Sequence, residues 1–182
     1  MGQLVDRVHA IDESIEKRLE QYRSRTLDRV FYGLSSAADH GILWHALGAV
    51  RAVRRREPGY VLRFSTALGI ESAFTNGLVK SIFRRVRPRE HFTHDDPLPY
   101  GMRRPITSSF PSGHAATGFM CAVVLSRGRR SAPFYFGLAA LISFSRVYTR
   151  MHHPSDVVAG AALGLALGGL LDPDSLPLGR RS

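Results

Sequence analysis

Apolar and polar positions in the first thirty residues alternate with the period of an α-helix. Leu4, Val8, Ile11, Ile15, Leu19 and Tyr22 recur at steps of three or four residues, the stripe of an amphipathic helix. Charged residues through Arg29 fill the other faces. The pattern predicts an N-terminal amphipathic helix within residues 1–29. Its stripe fits two environments, the rest of the chain or a membrane interface.

Four or five apolar stretches follow, and basic connectors join them. They lie near residues 30–50, 60–79, 114–126, 133–149 and 156–171. Their lengths and spacing predict an all-α fold, with a helical bundle over residues 30–172 and a tail over 173–182. Polar residues such as Asp39 and Glu71 interrupt the first two stretches, so neither is a clean run of about 20 uncharged apolar residues.

The last stretch favours insertion into a membrane. It is apolar from Val157 to Leu171 and carries Gly160, Gly164 and Gly168 at four-residue intervals. Small residues at this spacing let two helices approach closely in lipid. With the flanking Arg clusters, this favours a multi-pass transmembrane bundle of about five spans over a soluble Gly/Ala-rich core. The three glycines also predict a homo-oligomer contact.

The charge of the chain points to an anionic partner. Lys and Arg total 25 against 15 Asp and Glu, a formal net charge of +10. Nucleic acid, an acidic membrane surface and a phosphorylated substrate all fit this charge. The segment 84–112 combines five prolines with many charges, which predicts a long functional loop.

The first of three chemical motifs precedes this loop. Lys80 and Arg87 are seven residues apart, so a helix brings both cations to one face. Pro88 disfavours helix at Arg87 and ends the element. Alone, such a basic helix end is typical of a solvated or headgroup-facing terminus.

The second motif is Pro111-Ser112-Gly113-His114. Ser112 is a capping residue ahead of a small, apolar helical run. Free N–H groups at this helix start, the Ser112 hydroxyl and the missing side chain at Gly113 can surround phosphate oxygens. His114 then lies beside a phosphate bound there.

The third motif runs from Ser145-Arg146 to His152-His153-Pro154-Ser155-Asp156. Pro154 suits a first helical position, which places Asp156 in the first turn, within reach of His152. A hydrogen bond to one imidazole nitrogen fixes the tautomer and frees the other nitrogen to attack. Arg146 offers a planar fork for phosphate oxygens. A metal site is not expected here, because no third ligand is nearby and a proline interrupts the cluster.

Together the three motifs resemble those of the type 2 phosphatidic acid phosphatase family. The family pattern is Lys, six residues, Arg-Pro; then Pro-Ser-Gly-His; then Ser-Arg, five residues, His, three residues, Asp. Every position is filled between Lys80 and Asp156. Three matching motifs in order are far more specific than any one of them.

The resemblance implies a role for each matching residue. His152 attacks phosphorus and forms a phosphohistidine, Asp156 orients His152, and His114 protonates the leaving oxygen. The phosphate oxygens would be held by Lys80, Arg87, Ser112, Gly113 and Arg146. It also implies a helical bundle with the motifs at one end, no metal and no cofactor. These roles agree with the physical chemistry of phosphoryl transfer, which depends mainly on positioning and electrostatic stabilisation.

The resemblance also narrows the substrate to a lipid phosphate. The short chain and the stretch from Arg146 to Gly160 look like the small bacterial members that act on polyprenyl-linked substrates such as decaprenylphosphoryl-5-phosphoribose. Undecaprenyl diphosphate and phosphatidylglycerol phosphate are alternatives. Many members have Gly where this chain has Arg150. The added cation suggests a more anionic or larger headgroup.

Charge also predicts an orientation in the plasma membrane. Five spans put the connectors 51–59 and 127–132 and the tail on the side opposite the motifs. Excess Arg favours that side as cytoplasmic, so the catalytic face is expected to be extracytoplasmic. The residues concerned are Arg51, Arg54, Arg55, Arg56, Arg127, Arg129, Arg130, Arg180 and Arg181.

Three other functions compete with this interpretation. Vanadium haloperoxidases resemble the same site but are usually longer and soluble, and a soluble acid phosphatase is a further option. A basic module that binds nucleic acid or an anionic membrane would explain the charge. It would not explain His152 and Asp156 beside Arg146. A nucleic-acid partner is therefore not expected.

Overall fold

The computed structural model describes residues 2–88, 107–127 and 130–178, and every regular element in these ranges is helical. The helices are α1 (Gly2–Glu20), α2 (Arg25–Ala37), α3 (Ile42–Arg55), α4 (Gly59–Ser72), α5 (Lys80–Ile82), α6 (Gly113–Ser126), α7 (Ala132–Tyr148) and α8 (Pro154–Leu170). A π-helical segment, Ala73–Val79, joins α4 to α5. The predicted all-α fold is confirmed. The centre of the loop expected at 84–112 lies outside the described residues, as do Arg129, Arg180 and Arg181.

The helices begin and end differently from the sequence pattern at two places. The first helix ends at Glu20 rather than near residue 29, because Ser24 caps a new helix by accepting a hydrogen bond from the Leu27 N–H at 3.3 Å. The stretch 30–50 is two helices. A 3₁₀ turn separates α2 from α3, with φ of 57° at His40 and 70° at Gly41. Apolar periodicity continues across this break, so the sequence pattern did not reveal it.

Helix α6 is the centre of the bundle and packs against α7 and α8. Met120, Cys121 and Leu125 are fully buried. They form one apolar core with Trp44 of α3 and Phe64 of α4. This core holds the N-terminal end of α6, and hence the Ser112-Gly113-His114 motif, in a fixed position.

The glycine stripe of α8 is buried against α6 of the same chain. A Cβ at Gly160 or Gly164 would collide with the carbonyl oxygens of Ser112 and Ala116, and one at Gly168 would lie 2.8 Å from Val123 Cβ. The close helix contact that the spacing predicted therefore exists. It is an intramolecular contact, which corrects the expected homo-oligomer contact through these glycines.

Helix α1 packs on the bundle through acidic residues. Asp12 and Glu16 are buried, whereas Leu4 and Ile11 are 67% and 58% exposed. Of the two environments considered for this helix, packing on its own domain is the one that the structure shows, through contacts with α7 and α8. The packing uses the acidic face, and most of the apolar stripe is exposed, with only Val8 and Leu19 half-buried.

Apolar side chains also cover much of the outer surface of the bundle. Val53 on α3, Phe134 on α7 and Val158 on α8 are among the large exposed ones. Within the described ranges, none of the helices is both long and apolar enough to cross a membrane. The count of about five spans stays a prediction.

Candidate active site

One cavity of about 570 Å³ collects most of the predicted site residues at one end of the bundle. Six of the eight line it: Lys80, Arg87, Gly113, His114, Arg146 and His152. The other two, Ser112 and Asp156, are fully buried, and the main-chain N–H of Ser112 donates to the Asp156 carbonyl at 2.9 Å. That bond ties the start of α6 to the start of α8, so the structure brings all three motifs together.

His152 is buried and held in one tautomer. Its Nδ1 lies 2.7 Å from the main-chain carbonyl oxygen of Ser109. A carbonyl only accepts, so Nδ1 carries the proton and Nε2 keeps its lone pair. Burial lowers the pKa of His152 to about 3, which keeps the imidazole neutral near pH 7. The ring is therefore in its nucleophilic form, with Nε2 3.4 Å from Nη1 of Arg87.

Asp156 lies close to His152 but makes its short contacts elsewhere. Its Oδ2 is 3.7 Å from His152 Nδ1 and accepts a hydrogen bond from the His153 N–H at 2.9 Å. Its Oδ1 accepts from Arg85 Nη1 at 2.5 Å. At 3.7 Å the carboxylate acts on the imidazole through charge, while the Ser109 carbonyl makes the hydrogen bond.

His114 is paired with a carboxylate that the motifs did not include. Its Nε2 lies 2.9 Å from Asp39 Oδ1, in the turn between α2 and α3. A carboxylate accepts from Nε2–H and favours the protonated ring, whereas burial and the charge of Arg146 favour the neutral ring. Nδ1 is then the ring nitrogen left for exchange with a substrate. Asp39 Oδ1 is also 3.7 Å from Arg146 Nη1, so Asp39 lies between His114 and Arg146.

Three cations line the cavity beside His152. Arg87 is fixed by donating to the Met151 carbonyl at 2.6 Å. Arg146 is buried and donates to Ser35 Oγ, and its Nε has no hydrogen-bond partner among the described residues. A buried donor of this kind is costly unless a ligand satisfies it. Burial, with Arg87 and Arg146 nearby, lowers the pKa of Lys80 to about 8.

The start of α6 is shaped as the sequence predicted. Ser112 Oγ accepts from the Ala115 N–H at 3.4 Å, and the Gly113 and His114 N–H groups belong to the first turn, which has no intrahelical acceptors. A Cβ at Gly113 would lie 2.6 Å from Oδ1 of Asn76. Gly113 is therefore needed for the close approach of α4's π-helical extension as well as for access to the helix start.

The segment before His152 is clamped from outside by α1. Arg150 has a left-handed backbone, φ 58°, and its guanidinium pairs with Glu16 at 3.0 Å and Glu20 at 2.6 Å. Arg150 thus contacts α1. From the sequence, its charge was expected to contact the lipid headgroup instead. His153 Nδ1 lies 2.7 Å from Glu16. Although burial opposes it, this contact raises the pKa of His153.

Asp12 completes the clamp from α1. Its Oδ1 accepts from the Ser155 N–H at 2.9 Å, and its Oδ2 accepts from Arg85 Nη2 at 2.7 Å. Arg85 in turn donates to Asp156. A continuous chain of charged contacts therefore connects α1 to the residue beside the nucleophile.

Sequence reasoning missed five residues of this site: Asp12, Glu16, Asp39, Arg85 and Ser109. Asp39 gave a signal, because a carboxylate inside an apolar stretch is costly and is typical of a functional position. Ser109 gave none, since it acts through its main chain. Asp12 and Glu16 were seen only as the polar face of an amphipathic helix.

Comparison with known proteins gives matches to one family. A family model described as the PAP2 superfamily matches residues 60–172. The decaprenylphosphoryl-5-phosphoribose phosphatase of Mycobacterium tuberculosis is 32% identical over 144 residues, which cover 77% of this chain and 76% of that protein. The undecaprenyl-diphosphatase of Sulfolobus acidocaldarius is 33% identical over 113 residues, 61% of this chain and 52% of that protein.

A solved structure matches the fold over most of its length. The transmembrane PAP2 type phosphatidylglycerolphosphate phosphatase from Bacillus subtilis superposes with a TM-score of 0.71 and 25% sequence identity. The match covers 90% of this chain and 84% of that one. The helical arrangement described above is therefore that of a known lipid phosphatase.

Proposed function

This chain belongs to the PAP2 superfamily, and on that premise we propose that it is a membrane-embedded lipid phosphatase that transfers phosphate first to His152 and then to water. The observation that carries the mechanism is the Ser109 contact, which leaves Nε2 of a buried, neutral imidazole with its lone pair beside three cations.

In the first step, Nε2 of His152 attacks phosphorus and the bond from phosphorus to the lipid oxygen breaks. His114 gives its proton to that oxygen, so the lipid leaves as a neutral alcohol. Lys80, Arg87 and Arg146 bind the phosphoryl oxygens as their charge shifts. Asp156, 3.7 Å from Nδ1, offsets the positive charge that the phosphorylated ring acquires.

In the second step, His114 takes a proton from a water molecule as the water attacks the phosphohistidine. The bond from phosphorus to Nε2 breaks, inorganic phosphate leaves and both histidines return to their starting states. The three cations supply the charge stabilisation that a metal supplies in other phosphatases. We therefore propose a metal-independent reaction.

The proposed substrate is a polyprenyl-linked phosphomonoester. The M. tuberculosis relative, named for decaprenylphosphoryl-5-phosphoribose, has 76% of its length covered. Undecaprenyl diphosphate and phosphatidylglycerol phosphate, named in other relatives, are the alternatives. The larger share of both chains that the M. tuberculosis match covers favours the first.

The proposed location is the plasma membrane, with the catalytic face extracytoplasmic. The B. subtilis structure of the same fold is described as transmembrane, and α3, α4, α7 and α8 all expose large apolar side chains. Such outer faces are unusual for a bundle in water. The five candidate spans are α3, α4 with its π-helical extension, α6, α7 and α8.

The experiment is phosphate release by detergent-purified protein in the presence of EDTA, with polyprenyl phosphates, phosphatidate and phosphatidylglycerol phosphate as substrates. His152→Ala should reduce kcat by at least about 10⁴-fold, because the nucleophile is lost. His9→Ala, an exposed histidine on α1, is the control. Activity of His152→Ala near that of the control would refute the assigned nucleophile.

A further inference from the structure

Helix α1 exposes an apolar face that the mechanism does not use. Leu4, Ile11 and Ile15 are 67%, 58% and 37% exposed, whereas Asp12 and Glu16 are buried. A surface helix of a protein in water ordinarily turns its apolar stripe towards the core. Exposing the stripe to water costs free energy that an apolar environment would recover. The arrangement therefore indicates a second apolar environment beside α1.

Charged contacts fix which face of α1 is exposed. Asp12 Oδ2 accepts a hydrogen bond from Arg85 at 2.7 Å. Glu16 accepts one from Arg150 at 3.0 Å and lies 2.7 Å from the His153 ring. Turning the helix to bury its stripe would break all three contacts and place apolar side chains against charged groups. The tertiary structure therefore holds the stripe outward.

Basic residues border the exposed stripe. With 3.6 residues per turn, Arg7 and Arg18 lie along the edge of the stripe that is farther from Asp12 and Glu16. Both arginines are exposed. Arginine buries its methylene groups beside apolar surface and keeps its guanidinium in polar surroundings. At a membrane interface those surroundings are the lipid headgroups, whose phosphates carry the matching charge.

Exposed apolar side chains continue from α1 through α2 to the bundle. Tyr22, in the link after α1, is 71% exposed, and Leu27 and Val30 of α2 are exposed as well. Phe31 of α2 contacts Phe144, near the C-terminal end of α7, with ring centroids 5.2 Å apart. Phe144 belongs to the exposed apolar surface of α7, and tyrosine is enriched at membrane–water interfaces. The stripe of α1 is thus connected to the surface proposed to face lipid.

We infer that α1 is an interfacial helix whose apolar stripe lies in a lipid bilayer, about 5–10 Å deep at the boundary between headgroups and acyl chains. Arg7 and Arg18 then lie among the headgroups. The stripe is covered by lipid rather than by a second copy of the chain, because it continues into the surface proposed to face lipid. The inference rests on the proposed membrane location. Since the acids of α1 hold residues 150–155, the bilayer also supports the position of His152.

Labels on α1 test its contact with lipid. Ile11→Cys, in a Cys121→Ala background, is labelled with the fluorophore NBD and reconstituted in vesicles of phosphatidylcholine and phosphatidylglycerol that carry a nitroxide on the acyl chain. Quenching should be at least about threefold stronger than for Glu13→Cys, the matched control, because Glu13 is exposed on the opposite face of α1. Leu141→Cys, exposed within α7, reports whether the bundle is embedded.

The three labels separate the interfacial helix from the proposed location. Strong quenching at positions 141 and 11 supports both. Quenching at 141 with equally weak quenching at 11 and 13 would overturn the interfacial helix and leave the embedded bundle standing. An absence of quenching at 141 would overturn the proposed location and, with it, the inference. A label at position 11 that escapes the nitroxide but self-quenches between labelled copies would identify a second copy as the occupant, which also overturns the inference.

A charge on the stripe tests the effect on the active site. In vesicles, Ile11→Asp should lower kcat about three- to tenfold for the water-soluble substrate p-nitrophenyl phosphate, because a displaced α1 holds His152 less precisely. Ala10→Asp, which puts the same charge at an exposed position away from the stripe, should leave kcat unchanged. In a Glu16→Gln background the loss should be smaller, since the contact through which α1 acts is already weakened. Unchanged kcat in Ile11→Asp, or equal losses in both backgrounds, would overturn the link between the bilayer and His152.

Discussion

At the scale of single residues, the two histidines differ in what holds them. His152 faces a neutral carbonyl at 2.7 Å, which fixes the tautomer without favouring protonation. His114 faces the Asp39 carboxylate at 2.9 Å, which favours the protonated ring against the opposing effects of burial and Arg146. Pairs of titratable groups in contrasting environments are how one site provides both a nucleophile and an acid.

The first prediction concerns Asp39. Asp39→Asn should lower kcat about 10²-fold for a lipid phosphate, because the imidazolium of His114 loses its carboxylate partner. With p-nitrophenyl phosphate the loss should be much smaller, since a good leaving group needs no proton. Steady-state kinetics on the two substrates measure both effects, and Asp174→Asn, a carboxylate paired with Arg55, is the control. A loss of equal size on both substrates would contradict this role.

The second prediction concerns Lys80 and pH. The pKa of Lys80 is lowered to about 8 by burial and by Arg87 and Arg146, so its positive charge is present below that pH and is lost as pH rises through it. The kcat/KM for a phosphomonoester should therefore fall above about pH 8. In Lys80→Arg the guanidinium stays charged, so the alkaline decline should move to higher pH. An alkaline limb that does not move in this variant would exclude Lys80 as its source.

The motifs pointed to the residues that we propose react, but not to their partners. The chemistry of His114, His152 and Arg146 follows from residue type and local spacing. Asp39 lies 75 residues from His114, and Ser109 lies 43 residues from His152 and acts through its main chain. Contacts between residues this far apart in sequence depend on the tertiary fold. The local pattern of residues around each motif does not show them.

At the scale of elements, α1 is inverted relative to an ordinary amphipathic helix. It buries Asp12 and Glu16 and exposes most of its apolar stripe. Its acids hold the segment from Arg150 to Ser155, which contains His152. A left-handed backbone costs a non-glycine residue about 1 kcal/mol or more, and Arg150 adopts it with φ 58° while paired with two acids of α1. The helix therefore positions the nucleophile segment.

A double-mutant cycle tests this arrangement. Glu16→Gln should lower kcat about tenfold with little change in KM, because the segment that carries His152 loses its clamp. In an Arg150→Gly background, Glu16→Gln should lower kcat by a smaller factor, since glycine adopts a positive φ freely. Glu13→Gln, exposed on the same helix, is the control. Equal losses in both backgrounds would show that Glu16 does not act through Arg150.

At the scale of the whole molecule, the two ends of the bundle have different chemistry. One end gathers the motif residues, as the alternation of helices predicted. At the other end, Arg55 pairs with Asp174 at 3.0 Å and Arg127 with Asp172 at 2.5 Å. The connectors and the tail thus meet away from the site. Part of the positive charge used to predict orientation is neutralised there, which no count of Arg along the sequence could reveal.

The central claim is that His152 becomes covalently phosphorylated, and trapping the intermediate tests it most directly. In His114→Ala, p-nitrophenyl phosphate needs no acid to phosphorylate His152, but the water that hydrolyses the intermediate lacks its base. The phosphoenzyme should therefore accumulate. Rapid quenching under alkaline conditions and peptide mass spectrometry should place the phosphate on His152. The same procedure should detect no phosphopeptide when His152→Ala is added to the variant. Phosphate on a different residue, or an unmodified His152 in protein that still turns over, would contradict the mechanism.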